Sequence, residues 1–284
     1  MPFTLIKGRF KPQARTLTGD SVPFLADDPG LWARLEGNPV SLGTGAEDLN
    51  TVLLRLEGID ALEAEAIEPL STLAKDNLVE LISYDEEAEP EPSGYILARM
   101  TDDLYGRPIS FAFSGSTTDA DGSSIYLDTA MLRSSVNYKQ IESGFAYPLY
   151  YNTLFSSLRN AMDKALDFAQ QNQLGYWPYD RTTSGVQINS RNDIATLPPI
   201  WPKLWRRLRE FLRDADSLDG FREFLEQINE RVDVLPIMEE CGLQDIVEVR
   251  GNEVRLNELP ENLRVVGQAG RRTRRPNRTL NAAP

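Results

Sequence analysis

Three short stretches hold the residues whose types and spacing could do chemistry. They are Gly19-Asp20-Ser21, then Arg55 followed by Asp60 and Glu63, then Tyr105-Gly106-Arg107. Asp20 and Asp60 are hard oxygen ligands of the kind that Ca²⁺ and Mg²⁺ prefer, and a carbonyl just after Asp60 could add a further ligand. Glu63, near the start of a helical pattern, could take a proton from a water. Arg55 and Arg107 could each grip phosphate oxygens in fork geometry. Together these groups answer the two difficulties of phosphodiester hydrolysis, a weak nucleophile and charge building up on the phosphorus oxygens. The chain has no histidine and one cysteine, Cys241, so any chemistry falls to carboxylates, arginines, hydroxyls or a bound ion.

Each piece taken singly also has a plain structural reading. An aspartate after glycine serves a turn through local hydrogen bonds. An arginine near an aspartate makes a surface ion pair. A glutamate at a helix start complements the helix dipole, and Tyr-Gly-Arg can be only a hairpin turn.

The elements that must position these residues follow from the hydrophobic pattern. Residues 3–25 read as extended segments with a turn at Thr18-Gly19-Asp20, and Val52–Leu56 is an apolar strand interrupted by Arg55. From Glu63 to Ile82 apolar residues recur at helical spacing, before an acidic, proline-broken stretch at 85–92. Gly94–Met100 and Pro108–Phe113 are extended and flank a turn that contains Tyr105-Gly106-Arg107. Leu127–Glu142 and Leu154–Gln171 read as helices, which gives an α+β plan with a small, mostly antiparallel sheet or barrel.

After Trp177 the composition shifts. The reading divides the chain into residues 1–182, a linker at 183–199, a helical plus small β region at 200–268 and a basic, disordered tail at 269–284. The cluster Trp201, Lys203, Trp205, Arg206, Arg207 and Arg209 has two readings. It is a nucleic-acid surface with aromatic stacking, or an amphipathic helix whose Trp201, Leu204, Trp205, Leu208 and Leu212 pack on the barrel while the arginines face water.

The net charge is -13 over 284 residues, which disfavours a sequence-reading DNA binder but leaves room for a local cationic site. A lone cysteine excludes an internal disulfide. With neither a secretory pattern at the start nor an apolar run able to span a bilayer, a cytoplasmic protein without membrane attachment is expected.

As an ensemble, Gly19-Asp20-Ser21, Arg55 through Asp60 to Glu63, and Tyr105-Gly106-Arg107 resemble the staphylococcal nuclease-like (thermonuclease) family over roughly residues 3–180. Ser143-Gly144-Phe145-Ala146, Tyr150 and Leu174-Gly175-Tyr176-Trp177 are later echoes. The resemblance implies a five-stranded OB-type β-barrel with packed helices, here followed by a C-terminal helix and small β extension. It implies Asp20, Asp60 and the Ala61 carbonyl as ligands of Ca²⁺, with Mg²⁺ or Mn²⁺ as substitutes. It further implies Glu63 as general base, Arg55 and Arg107 as phosphate-binding catalytic residues, and Tyr105 and Tyr150 flanking the nucleotide. The implied reaction cuts single- or double-stranded DNA or RNA to leave 3′-phosphate and 5′-hydroxyl ends. Ala61-Leu62 stands where the family has Thr-Pro, Leu104 where it has a lysine, and Thr18 where many members have an acid. The alternative is a catalytically weak or partner-regulated nucleic-acid-binding module on the same barrel, with residues 200–268 as the contact to a second copy or a protein partner.

Overall fold

The computed structural model describes residues 2–13, 17–46, 48–63, 68–82, 91–102 and 104–266. Most of the acidic stretch expected at 85–92, and the whole basic tail expected at 269–284, lie outside the described residues.

The first strands are β1 (Phe3–Phe10), β2 (Ser21–Ala26) and β3 (Val52–Leu56), followed by the short β4 (Gly58–Asp60) and helix α1 (Leu70–Leu81). Strands β5 (Ser93–Thr101) and β6 (Pro108–Ser114) complete a closed five-stranded barrel. Strand β1 pairs with β2 and β5, β2 with β3, β5 with β6, and the parallel pair β3–β6 closes the ring. Closure removes exposed edges and is compatible with an OB-type barrel. Phe3, Leu5, Phe10, Val22, Phe24, Leu54, Ile96 and Phe111 are among the buried side chains of its core. Gly8 faces both Ala26 and Gly94 where β1 turns from one neighbour to the other. A Cβ there would lie 2.1 Å from the Leu25 carbonyl oxygen, so only glycine allows this approach.

A two-residue strand, β7 (Ser124–Ile125), adds to β1. The helix expected over 127–142 is two, α2 (Thr129–Leu132) and α3 (Val136–Glu142). The break comes from Ser135, whose hydroxyl accepts from Tyr138 N at 3.1 Å and so caps a new helix instead of continuing the old one. Buried Asn137 then docks α3 on the barrel: its Nδ2 donates to the Glu57 and Ser110 carbonyls, and its Oδ1 accepts from Ala112 N.

Strand β8 (Tyr147–Tyr151) and helix α4 (Ser156–Gln171) follow. Beyond them lie β9 (Val186–Gln187), α5 (Pro202–Leu212), α6 (Phe221–Ile228), β10 (Arg231–Val234), β11 (Glu239–Gly242), α7 (Leu243–Ile246), β12 (Val247–Arg250), β13 (Glu253–Leu256) and β14 (Leu263–Val265). The C-terminal region is therefore helical with short strands, as its pattern indicates, but it is not a separate appendage. A five-stranded sheet runs β11-β10-β14-β8-β4, so C-terminal strands join strands that flank the barrel. Residues 183–199, expected as a linker, instead carry β9 and bury Val186, Ile188 and Leu197. They pack in a second core that mixes Leu62, Ala74, Tyr147, Leu149 and Tyr176 with Trp201, Leu204, Leu208 and Val265. Sparse apolar residues, each placed inward, suffice to bury a segment that composition alone makes look open.

Among the described residues no helix is long and apolar enough to cross a membrane.

Trp201 is fully buried in the second core and donates its indole N–H to the Pro148 carbonyl at 3.1 Å. Trp201→Ala should cost about 3–5 kcal/mol in denaturant unfolding. The loss should appear in one transition that includes the barrel. A barrel transition left unmoved would instead show that the two cores unfold independently.

Candidate active site

Asp20 is set by the turn between residue 17 and β2. Thr18 and Ser21 exchange backbone hydrogen bonds at 3.2 and 3.5 Å, and both hydroxyls donate to Asp20 Oδ1, at 2.8 and 3.3 Å. Gly19 is required by space, because a Cβ would lie 2.7 Å from Ala61 Cβ and 2.9 Å from Ala74 Cβ. Gln140 of α3 ties this turn to α1 by donating to the carbonyls of Gly19 and Ala74. The turn, the start of the loop after Asp60, and two helices thus lock one another.

Arg55 extends from β3, where its backbone partners are Ser21 on β2 and Ile109 on β6. Its guanidinium lies between two acids, 3.4 Å from Asp20 Oδ2 and 3.9 Å from Asp60 Oδ1. Burial opposes its charge, but Asp20 and Asp60 outweigh burial and hold Arg55 above the ordinary arginine value. Asp60 ends β4 opposite Tyr147 of β8, and its side chain is fully buried. Leu62 is buried in the second core, and its N–H donates to the Tyr176 hydroxyl at 3.4 Å. This anchor lies between Asp60 and Glu63 at the position where the resemblance leads one to look for proline.

The unforeseen member of the site is Arg206, from α5. Its guanidinium donates to both oxygens of Asp60, at 3.0 and 2.6 Å, and to Glu63 Oε1 at 2.8 Å. Burial opposes this charge as well, and Asp60 with Glu63 outweighs it, so Arg206 is held well above the ordinary value. The sequence signal was present, since Arg206 belongs to the basic cluster, but a helical wheel cannot say which distant acid a side chain will meet. The expectation that the arginines of α5 face water holds for Arg209, which is exposed, and is corrected for Arg206 and Arg207. Lys203 and Arg207 turn to Glu230, at 2.5 and 3.1 Å, and Arg206 turns to the candidate site.

Arg107 precedes β6, two residues from the register partner of Arg55. Its Nε donates to Asp102 Oδ2 at 2.6 Å, and its guanidinium lies 5.1 Å from the centre of the Tyr105 ring. Tyr105 is exposed. Arg107 and Tyr105 therefore form a unit of the hairpin beside the Asp20–Arg55–Asp60 cluster, and their close contacts are with Asp102 and each other. Leu104, in the same turn, is exposed.

Tyr150 does not flank a binding surface. It is buried in β8 opposite Arg264 of β14, and its hydroxyl donates to Asp163 at 2.7 Å. Its side chain belongs to the core that includes Leu158, Met162 and Ala165 of α4, which occupies the position expected to meet a base.

The residues as arranged do not fit a divalent ion. Both Asp60 oxygens and one of Glu63 are taken by Arg206, and among the described residues no group of three or more acidic, histidine or cysteine side chains could hold a metal. Asp20, Asp60 and Glu63 do converge, but on guanidiniums.

A second buried acid, Glu57, lies between β3 and β4, with Arg99 4.0 Å away. Burial pushes its carboxyl up to about 7, and the opposing pull of Arg99 only moderates this. No family model matches the chain, and no curated protein matches it either.

Tyr150→Phe should lower stability by about 1–2 kcal/mol in thermal unfolding, through loss of the hydrogen bond to Asp163. Glu57 takes up its proton more readily folded than unfolded, so its contribution is full below pH 4.5 and declines as pH rises to about 7. Denaturant midpoints measured over that range should fall in the native chain and flatten in Glu57→Gln.

Proposed function

We propose that the chain is a phosphodiester hydrolase acting on DNA or RNA. The observation that carries this reading is Arg55 lying between Asp20 and Asp60 on a closed barrel, with Glu63 reached through the same ion-pair network. A phosphodiester is an anion that must be gripped through its oxygens and attacked by a deprotonated water. Arg55 supplies a guanidinium whose charge two acids secure, and Arg107 supplies a second one from the adjacent hairpin. Glu63, about one-third exposed, is the carboxylate that water can reach, and it takes the general-base role. The exposed Tyr105 ring beside Arg107 offers a flat face to a sugar or base. The calcium that the resemblance implies is assigned no step, because Arg206 fills the oxygens that would hold it.

A second reading, a nucleic-acid-binding or interaction module without cleavage, has one specific observation in its favour. The acids and arginines of the site are already paired with one another, as in a structural ion-pair network.

The two readings separate in a digestion assay. Purified protein should cut single-stranded DNA or RNA and leave 3′-phosphate ends. Arg55→Ala should reduce the rate by about 10²–10³. Binding without cleavage, unchanged by Arg55→Ala, would establish the module instead.

A further inference from the structure

Glu63 takes the base role on a long, freely rotating side chain, so its carboxylate has to be aimed. Its backbone is fixed one residue away, where the Leu62 N–H donates to the Tyr176 hydroxyl at 3.4 Å. The carboxylate itself accepts from Nη1 of Arg206 at 2.8 Å. The same nitrogen donates to Asp60 Oδ1 at 3.0 Å, and Nη2 donates to Asp60 Oδ2 at 2.6 Å. A fork closed on both oxygens of one carboxylate fixes the plane of the guanidinium. The remaining proton of Nη1 then has a set direction, and it is the one that Glu63 accepts.

Asp60 joins this fork to the side of the site that carries Arg55. Its Oδ1 lies 3.9 Å from Arg55 Nη2. Arg55, Asp60, Arg206 and Glu63 therefore form one continuous row of alternating charge. In a hydrolase the two ends of that row are the group that grips the phosphate and the group that deprotonates water, and the middle two set the spacing between them. Arg206 can do this only from a fixed mount, which α5 provides. Trp201, Leu204, Trp205, Leu208 and Leu212 are buried, the Trp205 indole N–H donates to the Ile194 carbonyl at 3.1 Å, and Glu230 pairs with both Lys203 and Arg207.

We propose that Arg206 is the positioning residue for Glu63, and that the C-terminal region thereby completes the site. This rests on the hydrolase reading, in which Glu63 is the general base. Arg206 acts through the carboxylate that it aims and not on the substrate itself. The barrel brings Asp20 and Arg55 together through the pairing of β2 with β3. The aim of Glu63 is set instead from α5, 143 residues further along the chain. Arg206 in its observed place is the working arrangement, and no rearrangement is required.

The test is a double-mutant cycle in the full chain, read as steady-state cleavage of a single-stranded DNA oligonucleotide. Arg206→Gln leaves buried Asp60 short of compensation and is the variant at risk of not folding. Arg206→Lys keeps a cation there but cannot close the fork and reach Glu63 together, so it carries the test. It should lower kcat by about 10–10²-fold and leave KM within about twofold, as expected when a reacting group is misplaced by about 1 Å. Glu63→Gln should lower kcat at least as much, and the double variant should be no slower than Glu63→Gln alone. A purely structural effect would instead multiply the loss caused by Glu63→Gln, since a smaller folded fraction scales every rate. Thermal unfolding of each variant checks that it is folded at the assay temperature. Multiplied losses, or native kcat in folded Arg206→Lys, overturn the proposal and leave the hydrolase reading standing. No cleavage by the folded native chain overturns the reading, and the proposal with it.

Discussion

The carboxylate of Asp60 is fully buried, and the surrounding structure is organised around its charge. An isolated ionised carboxylate in a protein interior is costly enough that it is either neutralised or paired. Here it is paired from two sides, by Arg55 on the barrel strand β3 and by Arg206 on α5. Two segments far apart in sequence are thereby committed to one point. Removing either guanidinium would leave a buried charge short of compensation, so the pairing specifies how the C-terminal region docks as much as it stabilises the docked state.

Strand β8 is the mechanical counterpart of that electrostatic link. Its Tyr147 lies opposite Asp60, its Pro148 carbonyl accepts from the Trp201 indole, and its Tyr150 lies opposite Arg264 of β14. One short strand thus touches the site, the helix that carries Arg206 and the C-terminal sheet. The second core follows from this: Tyr147, Leu149 and Tyr176 from the first half of the chain are covered by Trp201, Leu204 and Leu208 from the second. The packing of α5 in this core sets where the Arg206 side chain reaches.

Much of the fold could be read from pattern. The strand containing Arg55, the strand after Asp20 and the long helix at 156–171 appear within a few residues of where periodicity puts them, whereas the helix expected from Glu63 to Ile82 spans Leu70–Leu81. The misreadings share one cause. The break at Ser135, the buried segment around Ile188 and the buried Tyr150 each depend on a partner in another element, or on a side chain capping its own backbone, and hydrophobic spacing encodes neither. At the site, Asp20 and Arg55 meet because β2 and β3 are paired, and Asp60 follows Arg55 closely in sequence at the end of β4. The placement of Arg206 was not legible, because it is separated from Asp60 by 146 residues and no local rule spans that distance.

The sequence by itself determined the inventory: an acid after Gly19, an arginine and two acids at fixed spacing, no histidine, and a barrel pattern able to bring the first of these together. Local preferences and strand pairing are short-range, so they survive in the linear order. Only the tertiary structure decided which cation answers the buried Asp60, whether Tyr150 meets ligand or core, and whether the last third of the chain stands apart. Those outcomes turn on which surfaces are buried against each other, and burial is what makes an ion pair or a covered ring worth more than the solvent it replaces.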